Sequence, residues 1–320
     1  MRAAHFAGEG RIEIVEAPEP RPGRGEVLLR VTNCALCGSD LRPLRSGWPV
    51  TPGHEILGRV DRPGHAWHGQ RALVYIPVFC GRCEDCTAGS THVCRNATDL
   101  IGWQRNGGYA EALAVPEQCL LPVPDDIPDR LAPLLLDAIG TTGHGLRLAQ
   151  RFVARGQALL LGAGPIGLGA LLVMKGLGYG PVFVVEPGEY RVAAAIAFGA
   201  TRLAPEEAAL RRFPLVVEAS GKDPARQLAF EVVAPNGAIV QFGESDSWTI
   251  TESRAIRRKD FAFLRSFYFP VGDHAANIAL LRAGRAEYER LVDDQTSFEG
   301  LQDLFDAFRR GERLKPLFVP

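Results

Sequence analysis

In "ALLLGAGPIGLGA" (residues 158–170) a short apolar run ends in Gly162, and Gly164 and Gly167 follow at the spacing G-x-G-x-x-G. The run is continuous, as for a strand buried on both faces, and "IGLGALLVMKGLG" behind it is helix-like. A strand, a glycine turn and a helix in that order form the dinucleotide fingerprint. Gly162 allows the tight turn, Gly164 lets the backbone approach a pyrophosphate, and Gly167 lets helix and strand pack closely. Pro165 and Ile166 lie inside the fingerprint and count with the cofactor contacts. The helix N-terminus that opens there receives phosphate charge. The next strand, "VFVVEP", ends in Glu186, about 20 residues on, as the fingerprint requires. A carboxylate there accepts hydrogen bonds from a ribose 2′-OH and repels a 2′-phosphate, so NAD is expected over NADP. Arg191, on the following helix, keeps NADP as the lesser alternative.

Outward from this turn, strands and helices alternate. "GHGLRLAQRFVA" reads as a helix with apolar Leu146, Leu148, Ala149, Phe152 and Val153. After the fingerprint come "EYRVAAAIAFGA" (helix), "LVVEASG" (strand), "PARQLAFEVV" (helix) and "AIVQFGE" (strand). Near-continuous apolar strands separated by helices predict a doubly wound parallel sheet of Rossmann type over residues 141–272. "DFAFLRSFYFPV" reads as an aromatic strand suited to pairing between subunits. Residues 1–140 differ in texture: Pro and Gly are frequent and short alternating runs such as "EVLLRVTN" predict an irregular, mainly β domain. Residues 273–320 carry two helical stretches and are expected to return to that first domain.

The chain of 320 residues is 46% hydrophobic and 23% charged, ordinary for a globular protein that buries a substantial core. A net charge of −1 gives no field for nucleic acid or an anionic membrane. No apolar run approaches the ~18 residues of a membrane span. The N-terminal residues carry charges where a signal peptide needs its apolar stretch. A cytoplasmic protein is expected.

Seven cysteines are an odd number, and they cluster, which disfavours a disulfide framework. Cys80, Cys83, Cys86 and Cys94 follow C-x2-C-x2-C-x7-C within residues 79–95. Four thiolates on short turns converge on a tetrahedral ion and leave no open position, which predicts a structural zinc. A redox or iron–sulfur site is the alternative.

Two further segments hold metal-ligand residue types: "NCALCGSDLRPL" and "TPGHEILGRV". Taken in order, Cys37-Gly38-Ser39-Asp40, Gly53-His54-Glu55, the four-cysteine lobe, "GGYAEALAVP", G-A-G-P-I-G and "VVEASG" resemble the zinc-dependent medium-chain alcohol and polyol dehydrogenases. The resemblance spans essentially the whole chain. It implies a GroES-like catalytic domain at 1–140 and one catalytic zinc beside the structural one. It also implies Cys37 and His54 as catalytic ligands, with Glu55 a permanent or exchangeable one. Asp137 stands at the family's further acidic or cysteine position, one methylene shorter than the usual glutamate, so it reaches either the metal or a zinc-held water. Cys34 and Cys119 match no ligand position and read as packing residues.

The reaction so implied is hydride transfer between an alcohol or polyol and NAD, with zinc lowering the pKa of the substrate hydroxyl. The Ser39 hydroxyl carries the alcohol proton outward. Many relatives then place a histidine where Arg42 stands, and a guanidinium cannot relay protons. Arg42 is therefore expected on a cofactor phosphate or an acidic substrate group. Trp48 and Trp103 are expected to line the substrate pocket, and His65 and His68 to lie on a surface loop. Relatives of this kind are commonly dimers or tetramers, so a homo-oligomer is expected. The competing readings are a zinc-free quinone or enoyl reductase, a non-catalytic NAD-binding regulator and a nucleic-acid-binding zinc ribbon. Cys37, His54 and the cysteine lobe weigh against the first, and neutral charge against the last.

Overall fold

The computed structural model describes residues 1–245, 247–250 and 257–320; Asp246 and residues 251–256, inside the stretch read as nucleotide-binding, lie outside them. The chain divides into two compact units. The first comprises Met1–Leu136, Pro270–Ala275 and Tyr288–Pro320, and the second Asp137–Phe269 and Ala276–Glu287.

The first unit is built on a seven-stranded sheet. Its strands run in the order Gln295–Thr296, Leu317–Phe318, Glu26–Ala35, Glu55–Val60, Arg71–Val74 and Leu120–Pro122, and Ala112–Pro116 also pairs with Glu26–Ala35. The strand Glu26–Ala35 begins with the alternation its sequence predicts, burying Val27, Leu29 and Val31 and exposing Arg30. From Asn33 to Ala35 every residue is buried, and Cys34 and Ala35 are flanked on one side by Leu317–Phe318 and on the other by Glu55–Val60. Two registers there position the site. Ala35 pairs with Glu55, so Cys37, just beyond the strand, arrives beside His54 and Glu55. Ala35 also pairs with Leu317, which lays the C-terminal segment, Lys315 included, along the same strand end.

The second unit holds six parallel strands: β1 (Ala158–Leu161), β2 (Val182–Val185), β3 (Thr201–Arg202), β4 (Phe213–Glu218), β5 (Val233–Gln241) and β6 (Ala262–Arg265). Their order is β3-β2-β1-β4-β5-β6, the doubly wound arrangement in which strand order reverses between β1 and β4. The glycine turn follows β1 at that reversal, and every residue of β1 is buried, which explains its uninterrupted apolar sequence. Two details depart from the sequence reading. The helix starting at Thr142 stops at Ala149 and passes into turns, with Phe152 N–H donating to the Ala149 carbonyl, and Phe152 is 55% exposed. The short β3 and the helix Pro205–Ala209 were not anticipated, being only 2 and 5 residues long. Segment Ala276–Glu287 is tied into this unit by Arg147, which donates to Asn277. No helix among the described residues is long and apolar enough to cross a membrane.

Candidate metal and cofactor sites

The four-cysteine loop folds tightly on itself. The Sγ atoms of Cys83 and Cys80 each lie 3.6 Å from that of Cys94, and all four sulfurs lie within 4.8 Å of one another. A tetrahedral zinc with Zn–S bonds of about 2.3 Å separates its sulfurs by about 3.8 Å, so the donor set and its spacing fit that ion. The short helix Glu84–Thr87 carries Cys86, and backbone N–H groups of the loop point at the sulfurs, with Cys83 N–H donating to Cys80 Sγ at 3.3 Å. The Arg82 backbone N–H is the main group stabilising the Cys80 thiolate, whose pKa falls to about 6. Burial pushes Cys86 up to about 12. A divalent cation removes that opposition, since a coordinated thiol is held deprotonated.

The second cluster gathers Cys37, His54, Glu55 and Asp137, all buried, with one ligand atom from each lying within 4.8 Å of the others. Thiolate, imidazole and carboxylate are the donors zinc accepts. Cys37 ends the extended chain and caps a one-turn helix, Gly38–Asp40, on which Ser39 is half-buried. Asp40 closes back on this turn: its Oδ2 accepts the Cys37 N–H at 2.9 Å and the Tyr109 hydroxyl at 2.7 Å. Burial pushes the Tyr109 phenol well above its ordinary pKa, which keeps it a donor. Asp40 Oδ1 stands 3.3 Å from His54 Nδ1, so Nε2 is the nitrogen a metal would take. Glu55 contacts Lys315 Nζ, both side chains being fully buried. Asp137 directly follows Leu136 and opens a π-helical turn, Asp137–Thr141, in which Thr141 Oγ1 donates to its Oδ1 at 3.0 Å.

Glycine makes the approach to His54 possible. Gly53 has φ +96°, and a Cβ on Gly107 would sit 2.0 Å from the Gly53 carbonyl oxygen. The "GGYAE" glycines therefore close on the residue before His54, and Gly108 N–H donates to that carbonyl at 2.8 Å.

At the nucleotide fingerprint, Gly162 has φ +92° and a Cβ there would meet Ser220 at 2.8 Å. A Cβ on Gly167 would lie 2.0 Å from the Gly162 carbonyl, whereas at Gly164 it would meet nothing within 4 Å. The first and third glycines are thus required by packing, and the second leaves open space in front of the helix Pro165–Gly176, where Pro165 and Ile166 begin the first turn. Glu186 accepts the Ala163 N–H at 2.7 Å and the Gly188 N–H at 2.9 Å, which fixes its carboxylate against the turn. Arg191 lies on the next helix, Glu189–Ala197, with its Nε buried and without a hydrogen-bond partner.

Asp40, Tyr109, Thr141 and Lys315 were not singled out as site residues from sequence. Asp40 stood in the quoted Cys37–Asp40 stretch, so its proximity to Cys37 was a usable signal. Nothing in the sequence marks Lys315.

The alcohol dehydrogenase GroES-like domain family matches residues 23–125. The L-threonine 3-dehydrogenase of Anaeromyxobacter dehalogenans is 30% identical over 325 residues, covering 92% of this chain and 91% of that protein. That of Stenotrophomonas maltophilia is 36% identical over 207 residues; the match takes in 60% of this chain and spans 59% of the length of that relative. Among solved structures, an alcohol dehydrogenase from Thermus sp. ATN1 is 27% identical with a TM-score of 0.90, covering 100% of both chains. The chain belongs to the zinc-type medium-chain dehydrogenase/reductase family, and its GroES-like and Rossmann architecture is the one its sequence predicts.

Proposed function

We propose that the chain is a zinc-dependent oxidoreductase that transfers hydride between an alcohol or polyol and NAD, giving a ketone or aldehyde. The observation that carries this reading is the buried convergence of Cys37, His54, Glu55 and Asp137, a mixed donor set distinct from the all-thiolate lobe. Cys37 and His54 are the invariable ligands in this reading, with Glu55 and Asp137 completing or adjusting the set. Zinc held there would supply Lewis acidity toward the substrate oxygen, and NAD would supply the hydride acceptor.

The chain's own residues do the rest. Asp40 holds the His54 ring and the Cys37 backbone in place. Ser39, two residues after Cys37, takes the hydroxyl proton. Gly164 leaves room for the pyrophosphate, and Glu186, anchored by two backbone N–H groups, accepts from the adenosine ribose. Cys80, Cys83, Cys86 and Cys94 hold a second, structural zinc. In this reading residues 1–140 form the catalytic domain, 141–272 bind the cofactor and 273–320 complete the structure. Edge strand β6, with Phe263 partly exposed, is the proposed pairing surface in a homo-oligomer.

The test is zinc content on protein purified without chelator, followed by a panel of alcohols and polyols with NAD and NADP. Two zinc ions per chain, NAD-dependent turnover and its loss in Cys37→Ser support the reading. One zinc per chain and no alcohol turnover would sink it and favour a zinc-free reductase or a regulator.

A further inference from the structure

The ligand crevice of a doubly wound sheet lies where strand order reverses, so it has one wall after each of the two strands there. The glycine turn after β1 supplies the first wall. The second is the turn Ala219–Gly221 after β4, and the two are tightly packed. A Cβ on Gly162 would lie 2.8 Å from Ser220 Cβ and 2.9 Å from the Ser220 backbone nitrogen. The Ala219 N–H donates to the Leu161 carbonyl at 2.9 Å, which carries the pairing of β4 with β1 one residue past the strand.

One carboxylate gathers this second turn. Glu218 Oε1 accepts the Ser220 N–H at 2.8 Å, the Ser220 hydroxyl at 2.6 Å and the Gly221 N–H at 2.9 Å. Ser220 Oγ accepts the Lys222 N–H at 3.1 Å in turn. Hydrogen bonds to a carboxylate are about twice as strong as those between neutral groups. Glu218 is only 1% exposed, and a carboxylate so deep needs a cation near it. Arg226, on the helix Asp223–Val232 and also 1% exposed, places Nε 3.9 Å from Glu218 Oε2, within attraction but beyond a hydrogen bond. Arg226 is itself located by Asp223, which accepts from Nη1 at 3.1 Å, and by Trp248, whose ring centre lies 5.6 Å from the guanidinium carbon. Gly243 leaves the carboxylate its space, since a Cβ there would sit 2.5 Å from Glu218 Oε2. A buried ion pair is a weak source of stability, because desolvation offsets its attraction. What this pair secures is the turn against Gly162.

We propose that Glu218, backed by the Arg226 guanidinium, is a positioning residue for the dinucleotide: it presets the Ser220–Gly221 wall of the crevice, so that the cofactor binds without first ordering that turn. The role rests on the cofactor reading given above. Neither side chain touches the cofactor in this role, and both act through Ser220 and the turn at Gly162.

The test is fluorescence titration of the zinc-loaded full chain with NADH in native buffer, beside urea unfolding of the same samples. Glu218→Gln should weaken NADH binding about tenfold, the scale of one hydrogen bond to a charged group. Ser220→Ala leaves the buried pair in place and removes one donor, and should weaken NADH about threefold. Arg226→Met should cost about as much as Glu218→Gln, and the double variant no more than about twofold beyond either, because both residues act on one turn. Arg226→Lys should recover part of the loss.

A pair that only stabilises the fold would lower the urea midpoint and leave the NADH affinity of the folded protein unchanged, and that result in Glu218→Gln and Ser220→Ala overturns the proposal. Additive losses in the double variant also overturn it, since the effect of Arg226 would then not run through Glu218. Should Glu218→Gln and Arg226→Met fail to fold, Ser220→Ala and Arg226→Lys decide: unchanged NADH affinity in both overturns the role. Absence of NADH binding by the wild type removes the cofactor reading and this role with it. Wild-type binding that the variants leave unchanged overturns the role alone.

Discussion

Asp40 and His54 face each other at 3.3 Å, Oδ1 to Nδ1, with each side chain only 1% exposed. The same carboxylate accepts the Cys37 backbone N–H, so one buried aspartate stands against both of the principal candidate ligands. Carboxylates that support ligand histidines are typically worth 10–100-fold in metal affinity. Asp40→Asn should therefore weaken zinc at the Cys37 site by roughly 10–100-fold. The four-cysteine site should keep its metal. Competition with a chromophoric chelator, resolving two classes of zinc, is the measurement; equal loss from both classes would show that Asp40 acts only through global stability.

Lys315 gives a second prediction. Its ammonium and the Glu55 carboxylate are both fully buried. Removing one partner of such a pair leaves an uncompensated charge, at a cost of about 3–5 kcal/mol. Lys315→Met should lower the unfolding free energy of the metal-free protein by about that amount, measured by denaturant titration. Added zinc should recover part of the loss, because Glu55 then gains another cation. A loss below about 1 kcal/mol would mean that Glu55 is already neutral in the folded protein.

The glycine turn separates binding from folding. At Gly164 an added Cβ meets nothing within 4 Å, whereas at Gly167 it would lie 2.0 Å from the Gly162 carbonyl. Gly164→Ala should leave thermal stability within about 0.5 kcal/mol of wild type and raise KM for NAD roughly tenfold. Gly167→Ala should destabilise the fold itself by about 1–3 kcal/mol, the usual cost of overpacking. Calorimetry beside cofactor titration distinguishes the two; similar melting behaviour in both variants would contradict this division.

His274 predicts a pH dependence. Burial holds its imidazole below the ordinary histidine pKa, while its Nε2 lies 2.8 Å from the Pro122 carbonyl oxygen. The unfolded chain then binds the proton more readily than the folded one, so stability rises with pH across this window. The contribution is complete above about pH 6.5 and is lost as pH falls through the lowered folded value. Urea midpoints between about pH 8 and pH 5 should fall more steeply for wild type than for His274→Phe. Parallel curves would exclude His274 as a source.

The alternation of strands and helices, the glycine turn and the four-cysteine loop were legible because each depends on residues close together in the chain. G-x-G-x-x-G sets local dihedrals and a close helix approach, and the lobe brings four sulfurs together within residues 80–94. The second cluster was legible only through likeness to a family, since Cys37, His54 and Asp137 come from segments whose meeting no spacing reveals. Helix ends were less well read: the apolar Phe152 suggested a longer helix, but no neighbour covers enough of that side chain to keep the turn going.

By itself the sequence determined that a parallel nucleotide-type sheet, a thiolate lobe and an irregular β unit would form, because periodicity and short-range turn geometry carry that information. Only the tertiary structure decided what surrounds the ligand residues. Lys315 reaches Glu55 across 260 positions, Asp40 turns to His54, and Arg42 lies over Trp103. Those relations follow from the pairing of Ala35 with both Glu55 and Leu317 and from the expulsion of water around the strand end. Register and desolvation are properties of the assembled sheet, and no single segment of the chain contains them.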